Sequence, residues 1–165
     1  SERLAAADPK NAEAQLDLSL GHNQLGGWLE KINDLAGAKV HYEASTAISE
    51  RLAAADLRNA GAQSHLADNY FRLGYVLERA NDLASAKACY EGSLAARERR
   101  AAADPKNAEA QLDLVTFMCF LATNQDGWFK WHHVLERMEA MKARGMLAPS
   151  EEPRLVQVRK KAAEA

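Results

Sequence analysis

The sequence is poor in residues that mark several large classes of protein. Its two cysteines, Cys89 and Cys119, form no CxxC pair, so neither a disulfide framework nor a cysteine-rich zinc site is expected. We predict two reduced thiols packed within helices of a cytoplasmic protein. Aromatic residues make up only 7% of the chain although 47% of it is hydrophobic, because alanine supplies much of that fraction. This composition favours close helix packing over a thick globular core.

An excess of charge of one sign and a long apolar run are also missing. The chain has 21 basic and 23 acidic residues and a formal net charge of −2, so no basic field is expected to attract nucleic acid or anionic lipid. The best apolar run, residues 115–122, is far shorter than the roughly 20 residues of a membrane-spanning helix. We therefore predict no nucleic-acid partner and no membrane partner.

Motifs of catalysis are missing as well. The sequence contains no GxSxG turn, no GxxxxGK phosphate loop and no HExxH zinc motif. We predict that the chain is not an enzyme and carries no cofactor.

Only one short segment has a spacing suited to metal ligands. His132 and Glu136 are four residues apart, on one face of a predicted helix, with His133 beside them. Two ligands fall short of the roughly four that a structural zinc site needs, so no metal is predicted. The neighbouring aromatic residues are interpreted as an apolar plug for the last helix pair or, alternatively, as an exposed patch that recruits a partner: Trp128, Phe129 and Trp131.

What the chain does contain is an internal repeat of 48 residues. The segment Ser1–Asp8 returns as Ser49–Asp56, a third copy opens at Arg97, and residues 5–18 are identical to residues 101–114. Tandem units of about this length are typical of helical solenoids, in which each unit buries its apolar face against its neighbours. We predict one repeat domain over residues 1–165, which begins within a repeat and so is interpreted as a fragment of a longer chain. Its predicted parts are repeat 1 (1–48), repeat 2 (49–96), a shortened, divergent repeat 3 (97–148) and a capping helix (150–165).

Each repeat is predicted to form two helices, A and B, joined by a short turn. The predicted A helix of repeat 1 spans about residues 12–32, the B helices end near 55, 103 and 143, and the last B helix starts near Gly127. Predicted N-terminal caps are Asn11, Asn59 and Asn107, predicted turns are Asn33-Asp34 and Asn81-Asp82, and Gly145 is the predicted stop. The next turn residue, Asp126, comes four residues early, which shortens repeat 3 by about one helical turn. The residues predicted to be buried along the first A helix are Leu16, Leu18, Leu20, Leu25, Trp28, Leu29 and Ile32.

Residues in the first two repeats carry the spacing of a known signature. In repeat 2 they are Tyr70, Leu73, Gly74, Leu77, Ala86, Tyr90 and Ser93, and in repeat 1 they are His22, Leu25, Gly26, Leu29, Ala38, Tyr42 and Ser45. This pattern resembles the tetratricopeptide (TPR) repeat, and the 48-residue period resembles a long-repeat bacterial variant of the usual unit of about 34 residues. The glycine and the alanine would allow helices A and B to approach closely while larger residues fill the surrounding space.

The resemblance implies an all-α, right-handed solenoid of antiparallel helix pairs with a C-terminal capping helix. It also implies a scaffold that binds a peptide or a partner helix in a concave groove lined by the A helices. The groove residues implied are Leu20, Asn23, Gly27, Glu30, Asp68, Phe71, Tyr75 and Glu78. Their acidic-to-neutral character predicts a neutral or basic ligand. Phe71 and Tyr75 would be its aromatic anchors unless they are covered as ordinary core.

Two other functions remain open at this stage. The chain could be a structural spacer or oligomerisation module, with a homo-oligomer formed through exposed solenoid ends. A helical-repeat RNA binder is opposed by the net charge of −2. The charged run Arg97–Arg100 is interpreted as a solvated helix face.

Overall fold

The structure, a computed structural model, describes residues 9–124 and 127–164, and every element within these ranges is helical. The helices are α1 (Pro9–Lys31), α2 (Leu35–Ala55), α3 (Ala60–Arg79), α4 (Leu83–Ala103), α5 (Ala108–Asn124), α6 (Trp131–Ala143) and α7 (Glu152–Glu164), with a 3-10 turn at Pro149–Glu151 before α7. The prediction of an all-α fold is therefore confirmed for the described residues. None of the helices described is both long and apolar enough to cross a membrane.

The chain divides into two compact units, residues 1–100 and 101–165. Residues 1–8, at the start of the predicted repeat 1, and the early turn residue Asp126 lie outside the described residues.

In the first unit, α1 is joined to α2 and α3 to α4 by a turn that an asparagine makes possible. Asn33 and Asn81 both have φ of 63°, a left-handed conformation that asparagine tolerates better than most residues. At the first turn the Asp34 amide donates to the Leu29 carbonyl at 2.8 Å, which closes the end of α1. The Asp34 carboxylate then accepts from the Gly37 amide at 2.9 Å and caps α2. One residue pair therefore ends one helix and begins the next.

A glycine and a tyrosine make the same close contact inside both helix pairs of this unit. A Cβ atom added at Gly26 would lie 2.8 Å from the ring of Tyr42, and one added at Gly74 would lie 2.8 Å from the ring of Tyr90. Both tyrosines are fully buried, as are Ala38 and Ala86 on the same B helices. Only glycine leaves room for a ring at this distance, so these residues set how closely the two helices of a pair approach.

Small polar side chains fill the space between α1, α2 and α3. The hydroxyls of Ser19 and Ser45 lie 2.8 Å apart, and the Ser45 hydroxyl also donates to the Ser19 carbonyl at 3.0 Å. The Asn69 amide donates to the Ser49 hydroxyl at 2.6 Å. All four residues are buried, so α3 is held to the first helix pair by hydrogen bonds as well as by apolar contact.

The second unit contains α5, α6, α7 and the last turn of α4. The Asn107 side chain accepts from the Ala110 amide at 3.0 Å, which confirms it as a cap, and Gly145 ends α6 with φ of 67° as predicted. Trp128, Phe129 and Trp131 are half-buried. The fully buried large side chains of this unit are Leu114, Val115, Leu121, Val134, Met138, Leu155 and Val158.

Two predicted helix starts are wrong. α1 begins at Pro9, so Asn11 lies inside the first turn and is not its cap, in keeping with the suitability of proline for the first helical position. α6 begins at Trp131 after Lys130, because Gly127 has φ of 80° and cannot belong to a right-handed helix.

The predicted burial of the first A helix is also largely wrong. Several large apolar side chains of α1 are exposed, although residues at the same position of the next repeat are buried. Leu25, a signature residue, is among them, whereas its counterpart Leu73 is buried. Leu73 belongs to α3, which packs against α2, and no described helix covers the corresponding face of α1. The exposed set is Leu18, Leu20, Leu25, Trp28 and Ile32.

Candidate functional site

Two neighbouring cavities lie between α1 and α3 in the first unit. The larger has a volume of about 660 Å³ and the smaller about 420 Å³. Asp68 and Arg72 of α3 line both of them, so the two cavities adjoin; together they are here called the groove.

Most of the predicted groove residues lie in this groove. Leu20, Asn23 and Gly27 line the larger cavity, Glu30, Phe71 and Tyr75 line the smaller one, and Asp68 lines both. Glu78 lines neither cavity, and its carboxylate accepts a hydrogen bond of 2.6 Å from the buried hydroxyl of Tyr90.

Aromatic side chains are accessible along the groove. The rings of Phe71 and Tyr75 stack with centroids 6.5 Å apart, and Phe71 also contacts the buried Tyr90 at 6.2 Å. Phe71 is half-buried, Tyr75 is 41% exposed, and Trp28 at the opposite wall is still more exposed. Rigid aromatic rings that are partly packed against the protein can bury a large area on a ligand at a small cost in conformational entropy.

The acidic residues of the groove are already partnered within the protein. Glu30 accepts from the Tyr42 hydroxyl at 3.0 Å and lies 3.5 Å from the Arg79 guanidinium. Asp68 pairs at 3.0 Å with the guanidinium of Arg97. These contacts neutralise much of the negative charge that the sequence assigns to the groove.

The prediction that Arg97 lies on a solvated helix face is wrong. Arg97 is buried rather than solvated, and its guanidinium donates to the Ser93 hydroxyl at 2.6 Å as well as to Asp68. Burying a guanidinium is costly unless it is paired, so Asp68 stabilises the fold as well as lining the groove.

Two cations of the groove have no carboxylate partner among the described residues. They are Lys31 at the end of α1 and Arg72 on α3, and both are exposed. The Arg72 guanidinium lies close enough to the Tyr42 hydroxyl to offset part of the rise in the pKa of Tyr42 that burial and the Glu30 carboxylate cause. Arg79 lines neither cavity but lies close by, because it donates to Asn33 at 2.9 Å and lies 5.8 Å from the ring centre of Tyr75.

A buried acceptor also lies at the groove. The amide nitrogen of Asn23 donates to the Asn69 side chain, while the Asn23 oxygen Oδ1 is buried and has no hydrogen-bond partner within the described residues. A buried acceptor without a partner costs about 1–3 kcal/mol, which a ligand N–H could recover.

The sequence prediction missed six residues of the larger cavity, namely Gln24, Trp28, Lys31, His65, Asn69 and Arg72. Gln24 and Arg72 are 48 residues apart and occupy the same position of two repeats. Gln24 is also four residues from Leu20, Lys31 four from Gly27, and Arg72 four from Asp68. Extending the predicted face by one helical turn in each repeat would have included all three, because residues four apart share a helix face.

Histidines outside the groove have local partners rather than a metal-like arrangement. His132 and His133 are exposed with ring centres 4.0 Å apart. His22 and His41 lie with their Nδ1 atoms 3.0 Å apart, so one ring donates and the other accepts. Within residues 9–124 and 127–164, no three histidine, cysteine or acidic side chains come together as metal ligands would.

Comparison with known proteins returns no relative. No family model matches the chain, and neither a curated protein nor a solved structure matches it.

Proposed function

We propose that the chain is a TPR-type, right-handed solenoid of antiparallel helix pairs and acts as a protein-interaction scaffold in the bacterial cytoplasm. Its ligand would be an extended peptide segment held in the groove between α1 and α3. The observation that supports this proposal best is that two adjoining cavities share Asp68 and Arg72 and line up between α1 and α3. A peptide of several residues needs such an elongated, partly apolar depression.

The charges of the groove favour an acidic ligand rather than the neutral or basic one expected from the sequence. Glu30 and Asp68 are engaged by arginines of the protein, whereas Lys31 and Arg72 lack a carboxylate partner among the described residues. A ligand carboxylate near Arg72 could form a bidentate pair with the guanidinium. An apolar ligand side chain would pack on Phe71 and Tyr75.

Binding can be measured by fluorescence anisotropy with labelled peptides of about ten residues that combine glutamate with leucine or phenylalanine. A matched set carries lysine in place of glutamate. We expect the acidic set to bind more tightly by roughly tenfold, since one charge-assisted hydrogen bond is worth about 1.5–3 kcal/mol.

Variants of the groove locate the site. Arg72→Gln should remove the preference for acidic peptides, and the double variant Phe71→Ala/Tyr75→Ala should weaken binding of every peptide. Arg51→Gln, an equally conservative change on the exposed side of α2, is the control and should bind as the unaltered chain does. Equal affinity for acidic and basic peptides would refute the charge assignment. Unchanged binding by the double variant would refute the groove as the site.

A second candidate function, a spacer or oligomerisation module, is favoured by a different observation. The exposed apolar side chains of α1 lie mainly outside the groove, and their apolar surface favours association of the chain with another helix.

A further inference from the structure

The outer side of α1 carries an unusual apolar face, here called the α1 stripe. It consists of Leu18, Gly21, Leu25, Trp28 and Ile32. The exposed fractions of its four large side chains are 50% for Leu18, 53% for Leu25, 70% for Trp28 and 64% for Ile32. A Cβ atom added at Gly21 would meet nothing within 4 Å, so this part of the helix surface is open.

The internal repeat identifies the stripe as a packing face. Residues 48 positions later, Leu66, Leu73 and Val76, are buried in the first unit, where α3 packs against α2. The same helix surface therefore binds a neighbouring helix in repeat 2 and is uncovered in repeat 1. Large contiguous apolar patches of this kind on a protein surface mark interaction sites.

The stripe also has the spacing of a helix that pairs with another helix. Its residues are separated alternately by three and four positions from Leu18 to Ile32, the pattern in which side chains of one helix fit between those of another. Along one edge of the stripe, at intervals of seven, lie Asp17, Gln24 and Lys31, all exposed. The edge is thus acidic at one end, neutral at its centre and basic at the other end.

We propose that the α1 stripe binds the α1 stripe of a second copy of this chain, with the two helices antiparallel about a two-fold axis. The charges favour this occupant. In an antiparallel pair, Asp17 of each copy lies beside Lys31 of the other copy, and the two Gln24 residues meet at the axis. A parallel pair would instead gather both Asp17 carboxylates at one end and both Lys31 ammonium groups at the other.

The sizes of the side chains are complementary in the same arrangement. Each Leu18 lies level with Trp28 of the other copy, and each Gly21 lies level with Leu25 of the other copy. The open surface at Gly21 allows the two helices to approach closely near the axis. Four large side chains per copy make an interface at the small end of the range for protein pairs, below about 1,200 Å², so we expect a dimer that forms at micromolar concentrations.

The test is the molecular mass of the whole chain by sedimentation equilibrium over roughly 1–200 µM, without added peptide. The unaltered chain should shift from monomer to dimer across this range. Asp17→Lys and Lys31→Asp should each weaken the dimer at least tenfold, because each places like charges side by side twice per dimer. The double variant Asp17→Lys/Lys31→Asp restores both pairs and should dimerise like the unaltered chain.

Leu25→Glu provides a second test, since it places a charge in the middle of the stripe and should leave the chain monomeric at 200 µM. Its matched control is Val40→Glu, at an equally exposed valine of α2 outside the stripe, which should leave the dimer unchanged. Circular dichroism checks that both variants keep their helices.

Three results would overturn the proposal. They are a monomer at every concentration, a dimer that Leu25→Glu does not affect, and single charge variants whose defect the double variant fails to repair. If the chain is monomeric and a peptide with the sequence of Leu35–Ala55 binds to the stripe, the occupant is a helix of another repeat rather than a second copy. Trp28 and Lys31 also line the groove, so the masses are measured without peptide, and the two proposals can then fail separately.

Discussion

At the scale of single residues, the contact between glycine and tyrosine is the feature that the two helix pairs of the first unit share most closely. Gly26 meets Tyr42 and Gly74 meets Tyr90 at the same distance, and each tyrosine hydroxyl donates to a glutamate twelve residues before it. The ring therefore has no freedom to move away from an added methyl group. The Ala86 carbonyl, 3.3 Å from the site of an added Cβ at Gly74, restricts the backbone as well.

The change Gly74→Ala should lower the free energy of unfolding. Overpacking a buried contact costs about 1–3 kcal/mol, which exceeds the gain of about 0.5–1 kcal/mol that alanine gives over glycine within a helix. Gly21→Ala is the matched control, because an added methyl group there meets no other atom, and we expect it to be stabilising. Urea unfolding at a concentration that keeps the chain monomeric measures both. Stabilisation by Gly74→Ala would show that the glycine is not required by packing.

Single residues also show the limit of what the sequence predicts. The repeat pattern predicts that Gly26 corresponds to Gly74 and Tyr42 to Tyr90. Most of the predicted groove residues do lie together. The pattern does not predict that Arg97 folds inward to reach Asp68, because a buried guanidinium and a solvated one look alike in a charged run. The charge of the groove, and hence the class of ligand proposed, depends on that contact.

At the scale of helices, the ends of the elements are controlled by a few polar side chains. Asn59 and Asn107 cap α3 and α5 as predicted, by accepting from the amide three residues later at 2.9 and 3.0 Å. The wrong starts, at Asn11 and Gly127, fall where a proline or a left-handed glycine competes with the predicted signal. Caps are therefore predictable where the residue pattern is repeated, and unreliable where another backbone constraint lies within a few residues.

The turn between α3 and α4 allows this control to be tested at Asn81, which has φ of 63°. Asn81→Ala should lower the free energy of unfolding by about 1 kcal/mol, because a residue with a Cβ is strained in the left-handed region and alanine lacks the compensating amide. Asn81→Gly should be within about 0.5 kcal/mol of the unaltered chain, since glycine adopts this conformation freely. Equal stability of the two variants, measured by urea unfolding, would mean that the turn relaxes to another conformation.

At the scale of the whole molecule, burial depends on neighbours that a sequence window does not reveal. The apolar pattern of α1 resembles that of α3, yet α3 packs against a preceding helix and α1 has no preceding helix among the described residues, so the same pattern is buried in one repeat and exposed in the other. Periodicity predicts which residues share a face and leaves open what covers that face. For this reason the helices could be predicted well from the sequence, and the exposed stripe on α1 could not.

A second property of the molecule as a whole is that three of its four tyrosine hydroxyls lie in buried or half-buried surroundings that favour the protonated state. Burial raises the pKa values of Tyr42, Tyr70 and Tyr90, and the carboxylate that accepts each hydroxyl proton raises them further, through Glu30, Glu50 and Glu78 respectively. Burial also raises the pKa of Cys89 to about 11. Burial raises the pKa of Cys119 as well, so the set comprises three of the four tyrosines and both cysteines of the chain.

These groups should make the protein sensitive to alkali. A group whose pKa is higher in the folded chain stabilises the fold fully below its unfolded pKa, about 8.5 for cysteine and 10 for tyrosine, and this contribution is lost as the pH rises toward the folded value. We therefore expect the free energy of unfolding to be insensitive to these five groups up to about pH 8, to decline above pH 9 and to decline more steeply above pH 10. Each proton held only by the folded chain contributes about 1.4 kcal/mol per pH unit.

The difference between the unaltered chain and Tyr90→Phe isolates one of these protons from all other titrations. The variant loses the hydrogen bond to Glu78 and should be less stable at pH 7 by about 1–3 kcal/mol, since Glu78 keeps a buried environment without its donor. Because phenylalanine cannot ionise in the unfolded chain, the variant should lose stability more slowly above pH 10, and the two stability curves should converge by about 1.4 kcal/mol per pH unit. Urea unfolding at intervals from pH 7 to 11 measures both curves. Parallel curves above pH 10 would mean that Tyr90 ionises as readily in the folded chain as in the unfolded one, in conflict with a phenol buried against a carboxylate.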